Sequence, residues 1–180
     1  NWLLDFKGFH HEDFRYQDFR NKFKKTYWLV SFFGIHLFPT LIVLISMYPI
    51  LLVFQNGVSN FLFVILGVLV MIGGAMISLF ADGQLRAFKK SNPGQSITTG
   101  LWNYSRHPNY FGEVTFWVGV YLLSFASGMY MEASVGLIGM LLLFNLYSVP
   151  AMEKKLLENK PNYQLVIDTV PRFFIRFPKK

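Results

Sequence analysis

With 53% hydrophobic, 18% aromatic and only 15% charged residues over 180 positions, the chain is too apolar for an ordinary water-soluble domain. Its 17 basic residues outnumber 10 acidic ones, which gives a formal net charge of +7. The sequence contains no cysteine, so disulfides, thiol nucleophiles and cysteine metal sites are excluded. The expected fold class is an all-α integral membrane helix bundle.

The first 26 residues form a basic segment that contains "HHEDFRYQDFRNKFKK". The chain opens at "NWLLDFKG" without an initiator methionine, which is typical of the middle of a protein, so we expect earlier helices to precede it. No histidines stand at a spacing that would ligate a metal together, and no metal site is predicted.

Four apolar segments follow that could form spanning helices, for which roughly 20 residues are needed. They cover roughly residues 27–55, 59–81, 109–131 and 133–151. The first segment is overlong and is interrupted by Pro39 and Pro49. It therefore predicts a tilted or kinked helix with an irregular exit.

The basic residues test this division, because cytoplasmic loops near spanning segments carry an excess of lysine and arginine. Six lie in 1–26, four in the middle loop 82–108 and seven after 151, and the two opposite loops contain none. Both termini and the middle loop are therefore expected to face the cytoplasm or its equivalent. Orientation and anionic lipid head groups account for the net charge, so no nucleic-acid partner is predicted.

The residues after 151 read "MEKKLLENKPNYQLVIDTVPRFFIRFPKK". They predict a short helix, a break at Pro161, another helical turn, and an aromatic and basic tail on the membrane surface. The chain is thus expected to form a single membrane domain over 1–180. Its parts are the basic segment 1–26, the bundle 27–151 with the polar loop 82–108, and the amphipathic tail 152–180.

The middle loop begins with a polar helical face. Asp82, Arg86 and Lys89 recur at i, i+4 and i+7, and "NPGQ" then breaks the helix. Spacing alone leaves two interpretations. One is a cytoplasmic helix extension with an Asp–Arg pair, and the other is a cationic cradle for a phosphate-bearing ligand, in which Asp82 orients a ribose or an arginine.

The stretch "YSRHPNYFGE" places polar residues at the start of the third span. Pro108 disfavours a helical conformation for His107 and can itself occupy the first turn of the next helix. Asn109 and Tyr110 then begin a helix whose N-terminal amides are unpaired and suited to an anion. Glu113 lies one turn deeper on the face of Asn109, where an ionisable residue normally faces a polar cavity.

A simpler interpretation of the same stretch requires no ligand. Glu113 would be close enough to the interface to be hydrated or paired with Arg106, and His107 would act as a structural cap.

Three blocks resemble the C-terminal region of the steroid 5-alpha-reductase-like membrane proteins, especially a branch of uncharacterised relatives. They are "LFADGQLRAFKK", "GLWNYSRHPNYFGEVTFWVGVYL" and "NYQLVIDTVPRFFIRFP", and "HEDFRYQDFRNKF" and "GIHLFPT" extend the resemblance over nearly the whole chain. The resemblance implies NADPH-dependent reduction of a carbon–carbon double bond in a lipid or steroid-like substrate.

The resemblance also implies a cofactor site in a cytoplasm-facing pocket. Asp82 and Arg86 match cofactor-contacting positions, Lys89 stands where the family often has an arginine, and Asn109 and Glu113 match positions that hold the nicotinamide end. The expected cofactor-binding residues are Asp82, Arg86, Lys89, Tyr104, Arg106, His107, Asn109, Tyr110 and Glu113. The family's substrate-polarising residues lie mostly in earlier helices, so no catalytic residue is assigned.

Two other functions stay open. "RHPNY" followed by an acidic "MEKKLLENKPNY" also resembles the isoprenylcysteine carboxyl methyltransferases, in which Arg106, His107 and Glu153 would serve S-adenosylmethionine or the substrate. The chain could instead be a non-catalytic structural subunit of a larger membrane assembly, because a fold can be retained without its chemistry.

The distribution of basic residues generates a first prediction. Accessibility labelling at Ser59 and at Ser91 should report opposite sides of the membrane, because the loop around Ser59 lacks basic residues and the region around Ser91 is rich in them. Labelling of both positions from the same side would contradict the predicted topology.

Overall fold

The computed structural model of the protein describes residues 14–160 and 162–173, which form α-, 3₁₀- and π-helical segments and contain no β-strand. The α-helices are α1 (Phe14–Phe23), α2 (Tyr27–Ser31), α3 (Phe38–Ser46), α4 (Tyr48–Asn56), α5 (Phe61–Ser91), α6 (Pro108–Ser127), α7 (Tyr130–Leu142), α8 (Val149–Asn159) and α9 (Tyr163–Thr169). The predicted all-α class is confirmed.

Three helical stretches are long and apolar enough to cross a membrane. They are Tyr16–Asn56, Phe61–Ser91 and Tyr130–Asn159. Many large apolar side chains on α3, α4, α5 and α7 point outward, as expected for surfaces that contact lipid. The predicted third span also forms a helix, α6, but polar residues such as Glu113 make it less apolar. Because α6 packs against α3, α4, α5 and α7, it needs less lipid-facing surface.

The helical stretch Tyr16–Asn56 is not one straight helix. A 3₁₀ turn at Lys24–Thr26, in which Lys24 has a positive φ of 40°, separates α1 from α2. The Tyr16 hydroxyl lies 3.3 Å from His36 Nε2. Twenty residues of straight helix would hold these groups about 30 Å apart, so the chain reverses at the turn. Residues 27–37 therefore pair with α1.

Each interrupting proline lies in the first turn of an α-helical segment, Pro39 in α3 and Pro49 in α4. Pro39 follows a π-helical turn at Phe32–Leu37, and Pro49 follows a turn residue, Met47. The chain leaves α4 at Gly57, whose φ of 75° lies in the left-handed region. The predicted interruptions and irregular exit thus match breaks in the regular helix.

The helices α5 and α6 form the most extensive helix pair of the bundle. Glycines meet across their contact: a Cβ built on Gly74 would lie 2.6 Å from the Gly112 carbonyl oxygen, and one built on Gly67 would lie 2.8 Å from the Gly119 oxygen. Small residues allow such close backbone approach between membrane helices. This seam fixes the polar end of α5 beside the beginning of α6.

The ends of the helices follow the sequence pattern closely. The helix α5 continues ten residues past the predicted span end at 81 and stops at Ser91, immediately before "NPGQ". In the C-terminal part, α8 ends at Asn159 and α9 begins at Tyr163, so a break occurs where it is predicted. Pro161, the N-terminal residues 1–13 and the tail 174–180 lie outside the described residues.

Adjacent glycines in α5 provide a matched test of the seam. Gly74→Ala should lower the free energy of unfolding by about 1–3 kcal/mol, because its Cβ would overlap the backbone of α6. Gly73→Ala should be neutral or stabilising by up to about 1 kcal/mol, since nothing lies within 4 Å of its Cβ. Thermal and denaturant unfolding in detergent measures both. Equal stability of the two variants would contradict the close α5–α6 packing.

Candidate functional site

The loop between α5 and α6 folds back onto the end of α5. The Trp102 indole Nε1 donates a hydrogen bond to the Ala81 carbonyl at 3.0 Å, and the Leu101 amide donates to Gln84 Oε1 at 2.9 Å. Ile97 and Trp102 bury Ala81 completely. The loop thereby becomes one wall of a cavity.

This cavity, of about 140 Å³, is enclosed by the end of α5, the loop, the start of α6, α8 and α9. Five of the predicted cofactor-binding residues line it: Lys89, Arg106, His107, Asn109 and Tyr110. The fold thus brings Lys89 of the polar helical face together with four residues of "YSRHPNYFGE". Ligand pockets for drug-sized molecules are usually about 300–1,000 Å³, so this cavity suits one end of a larger ligand.

Three buried oxygens face the cavity without a hydrogen-bond partner among the described residues. They are Ser96 Oγ, Asn109 Oδ1 and the Tyr163 hydroxyl. Burial raises the pKa of Tyr163 to about 12, with the Glu153 carboxylate acting in the same direction, so this hydroxyl stays protonated at neutral pH. Buried polar atoms normally have partners, and three orphans around one cavity indicate a site for a polar ligand or ordered water.

The outer part of the cavity is cationic. Lys89 and Lys160 both line it, and Lys160 Nζ donates a hydrogen bond to the Gln95 carbonyl. Burial and then the charge of Lys89 lower the pKa of Lys160. An anion bound between the two ammonium groups would relieve their repulsion. Lys160 was not predicted from the sequence, because only the fold brings it close to Lys89.

Asp82 has one partner that its spacing in the sequence did not predict. Asn109 Nδ2 donates a hydrogen bond to Asp82 Oδ1 at 3.2 Å, which joins α5 to the first turn of α6. Arg86 is partly buried on the same helix and does not line the cavity. Tyr104 is also partly buried and lies outside the cavity lining.

Glu113 does not share the enclosed cavity with Asn109. Its side chain is exposed in a separate groove of about 380 Å³ along the α5–α6 seam, beside Ser78 and Gly112. It still interacts electrostatically with Asp82. Asn109 and Glu113 therefore lie on one face of α6 but open into two neighbouring spaces, with Asp82 close to both.

Arg106 pairs with Glu153 and not with Glu113. The Glu153 carboxylate lies 2.9 Å from Arg106 Nε and 3.1 Å from His107 Nε2, and Arg172 Nη2 reaches its other oxygen at 3.1 Å. Arg106, His107 and Glu153 are all buried. We call these four residues the Glu153 cluster.

Arg106 also anchors the C-terminal segment through backbone groups. Its guanidinium Nη1 donates to the Ile167 carbonyl at 2.6 Å and to that of Val170 at 3.2 Å, and its amide donates to the Pro171 carbonyl at 2.9 Å. These bonds hold α9 as a wall of the cavity. Arg106 therefore positions the site in addition to lining it.

His107 combines a structural role with its place in the cavity wall. It has non-helical backbone angles (φ −137°, ψ 61°), and α6 begins at Pro108, as the sequence predicts. Its amide donates to Ser105 Oγ at 3.2 Å, and its ring stacks on Tyr110 with 5.6 Å between centroids. His107 thus occupies the N-cap position of α6, but its side chain makes no capping hydrogen bond and contacts Glu153 instead.

The Glu153 cluster generates a stability prediction. Glu153→Gln should lower the free energy of unfolding by about 3–5 kcal/mol, because it leaves Arg106 buried without its counter-ion. Limited proteolysis should then cut the segment after α8 sooner. Glu158→Gln, an exposed change on the same helix, is the control and should stay within about 0.5 kcal/mol of the parent. A Glu153→Gln variant as stable as this control would show that the cluster does not hold the C-terminal segment.

Comparison with known proteins gives one family. No curated protein and no solved structure matches the chain. The family model described as a protein of unknown function, DUF1295, matches residues 2–170, and this family is steroid 5-alpha-reductase-like. The resemblance predicted from the sequence is thus supported at the level of the family. Because the match covers nearly the entire sequence, the chain belongs to the DUF1295 family.

Proposed function

We propose that this protein binds NADPH and takes part in the reduction of a carbon–carbon double bond in a lipid or steroid-like substrate within the membrane. The observation that carries the proposal is the cavity in which three orphan oxygens and two ammonium groups converge. A phosphorylated ligand with many hydrogen-bonding groups fits that set of donors and acceptors. The steroid 5-alpha-reductase-like family supplies the reaction class.

The distribution of polar residues supports a ligand longer than the cavity. Along α5, Ser78 and Asp82 follow the groove side of the seam, and Lys89 lies at the cavity. Ser78 and Lys89 are separated by about 16 Å of helix, which is comparable to the length of an extended dinucleotide. On α6, Asn109 and Glu113 lie beside these α5 residues, with Asn109 at the cavity and Glu113 in the groove. A dinucleotide could thus extend from the two lysines toward Glu113.

In this arrangement each group has a chemical task. Lys89 and Lys160 would bind phosphate, the orphan Asn109 Oδ1 would accept a hydrogen bond from ribose or carboxamide, and the Tyr163 hydroxyl would donate one. Bound NADPH would supply hydride to an electron-poor carbon of the substrate. The protein must also deliver a proton and exclude water, and the family resemblance assigns those groups mostly to earlier helices.

The Glu153 cluster argues against S-adenosylmethionine as the ligand. The methyltransferase interpretation requires Arg106, His107 and Glu153 to contact the methyl donor or the substrate. In the structure these three residues bind one another, and Arg172 completes the shell around the carboxylate. Opening such a buried cluster would leave uncompensated charges, so the reductase interpretation is favoured.

A binding comparison tests the cofactor. The purified protein should bind NADPH more tightly than NADH, and Lys89→Ala and Lys160→Ala should each weaken NADPH binding about tenfold or more, because each removes a charge-assisted contact. Lys90→Ala, a change at the neighbouring exposed lysine that lies outside the cavity, is the matched control and should retain the parental affinity. Isothermal titration in detergent measures all these values.

The other outcomes of the same titration separate the alternatives. Tight binding of S-adenosylmethionine without binding of NADPH would move the assignment to the methyltransferases. Binding of neither ligand by a folded preparation would favour a structural subunit.

Glu113 provides a separate test of the groove end of the proposed site. Glu113→Gln keeps the size of the side chain, removes its charge and turns an acceptor into a partial donor. We expect the thermal melt without ligand to be unchanged or higher, because an ionised group in a helix of the bundle is costly, and we expect NADPH affinity to fall. An unchanged titration would mean that Glu113 does not contact the cofactor.

A further inference from the structure

A second polar site lies away from the proposed cofactor site. A groove of about 660 Å³ separates α1 from the C-terminal end of the helical stretch Tyr130–Asn159. Its apolar wall is formed by Phe19, Tyr147 and Ala151, and its basic rim contains Lys22, Lys154 and Lys155. The groove shares no lining residue with the cofactor cavity.

The groove lies where apolar helices meet the basic ends of the chain. The last predicted span ends at residue 151, and Lys154 follows one turn later. On the other wall, α1 turns back on residues 27–37 and carries Lys22 beside the basic turn Lys24–Thr26. Both walls therefore cross the level at which lipid head groups surround a membrane protein.

The charges in the groove favour an anion. The lining contains three lysines and only two carboxylates, those of Asp18 and Glu158. Lys155 Nζ lies 3.9 Å from Glu158 Oε2, so part of the positive charge is compensated within α8. Lys22 and Lys154 are both exposed on opposite walls. An anionic group between these walls would contact an ammonium on each side.

The apolar wall distinguishes a lipid from a small anion. Tyr147 belongs to the last predicted span and is 39% exposed, and the Phe19 ring lies beside Gly34 of the first apolar segment. The lysines of the rim lie outside the predicted spans. An aromatic surface below a basic rim matches a phospholipid, in which acyl chains lie below a phosphate. Free phosphate would use only the rim.

We propose that this groove binds an anionic phospholipid from the membrane leaflet that borders the basic loops. The phosphate lies between Lys22 and Lys154, and the acyl chains lie over Phe19 and Tyr147. The lipid fills the space between α1 and α8 and thereby stabilises the packing of α1 against residues 27–37. This inference does not depend on the nature of the cofactor, since the two sites have separate linings.

The test uses the full chain in a neutral detergent. Native mass spectrometry and thermal melts are recorded with added phosphatidylglycerol, phosphatidylcholine or inorganic phosphate. The double variant K22Q/K154Q removes one ammonium group from each wall of the groove, and the control K25Q/K90Q removes two exposed charges that do not line the groove. Melts without lipid verify that both variants fold.

We expect the parent and the control to retain phosphatidylglycerol and to melt at higher temperature with it. The apparent affinity of K22Q/K154Q should be about tenfold lower or more. Equal binding by K22Q/K154Q and the control would overturn the site. Phosphatidylcholine binding as tight as phosphatidylglycerol binding would overturn the preference for an anion. Displacement of the lipid by inorganic phosphate alone would indicate a free-anion site instead.

Discussion

The buried Glu153 carboxylate is the interaction on which the candidate site depends. It holds Arg106 and His107 at the beginning of α6 and Arg172 after α9, so one group joins three parts of the chain. Arg106 then extends this connection to the backbone carbonyls of Ile167 and Val170. Without the Glu153 carboxylate, the buried Arg106 guanidinium would be left as an uncompensated charge. The cluster therefore stabilises the docking of the C-terminal segment that forms one wall of the cavity.

The glycine seam between α5 and α6 supplies the second constraint. Because Gly74 and Gly112 let the two backbones approach, the polar ends of both helices come within hydrogen-bond distance, and Asn109 reaches Asp82. Helices held apart by larger side chains would leave these groups too distant to interact. The membrane-embedded packing and the polar site are thus coupled.

The two proposed sites differ in the kind of surface that they offer to a ligand. The cavity beside Lys89 and Lys160 is smaller and contains orphan hydrogen-bonding atoms, which suits a ligand recognised by specific contacts. The groove beside Lys22 and Lys154 is larger and combines an aromatic wall with a basic rim, which suits a lipid recognised by charge and depth. Both use basic residues from segments that the sequence predicts to share one side of the membrane.

Local features of the sequence determined the helical class, the apolar segments, the start of α6 at Pro108 and the break after Ser91, because hydrophobic runs and proline act over a few residues. Only the tertiary structure decided the partners of the polar groups. Glu153 lies 46 residues from His107 along the chain, and Lys160 is brought to Lys89 by the docking of α8 and α9. The reversal at Lys24 could not be predicted from the sequence either, because residues 27–37 are as apolar as a membrane-spanning segment. Contacts between distant residues depend on helix packing, which spacing along the chain does not encode.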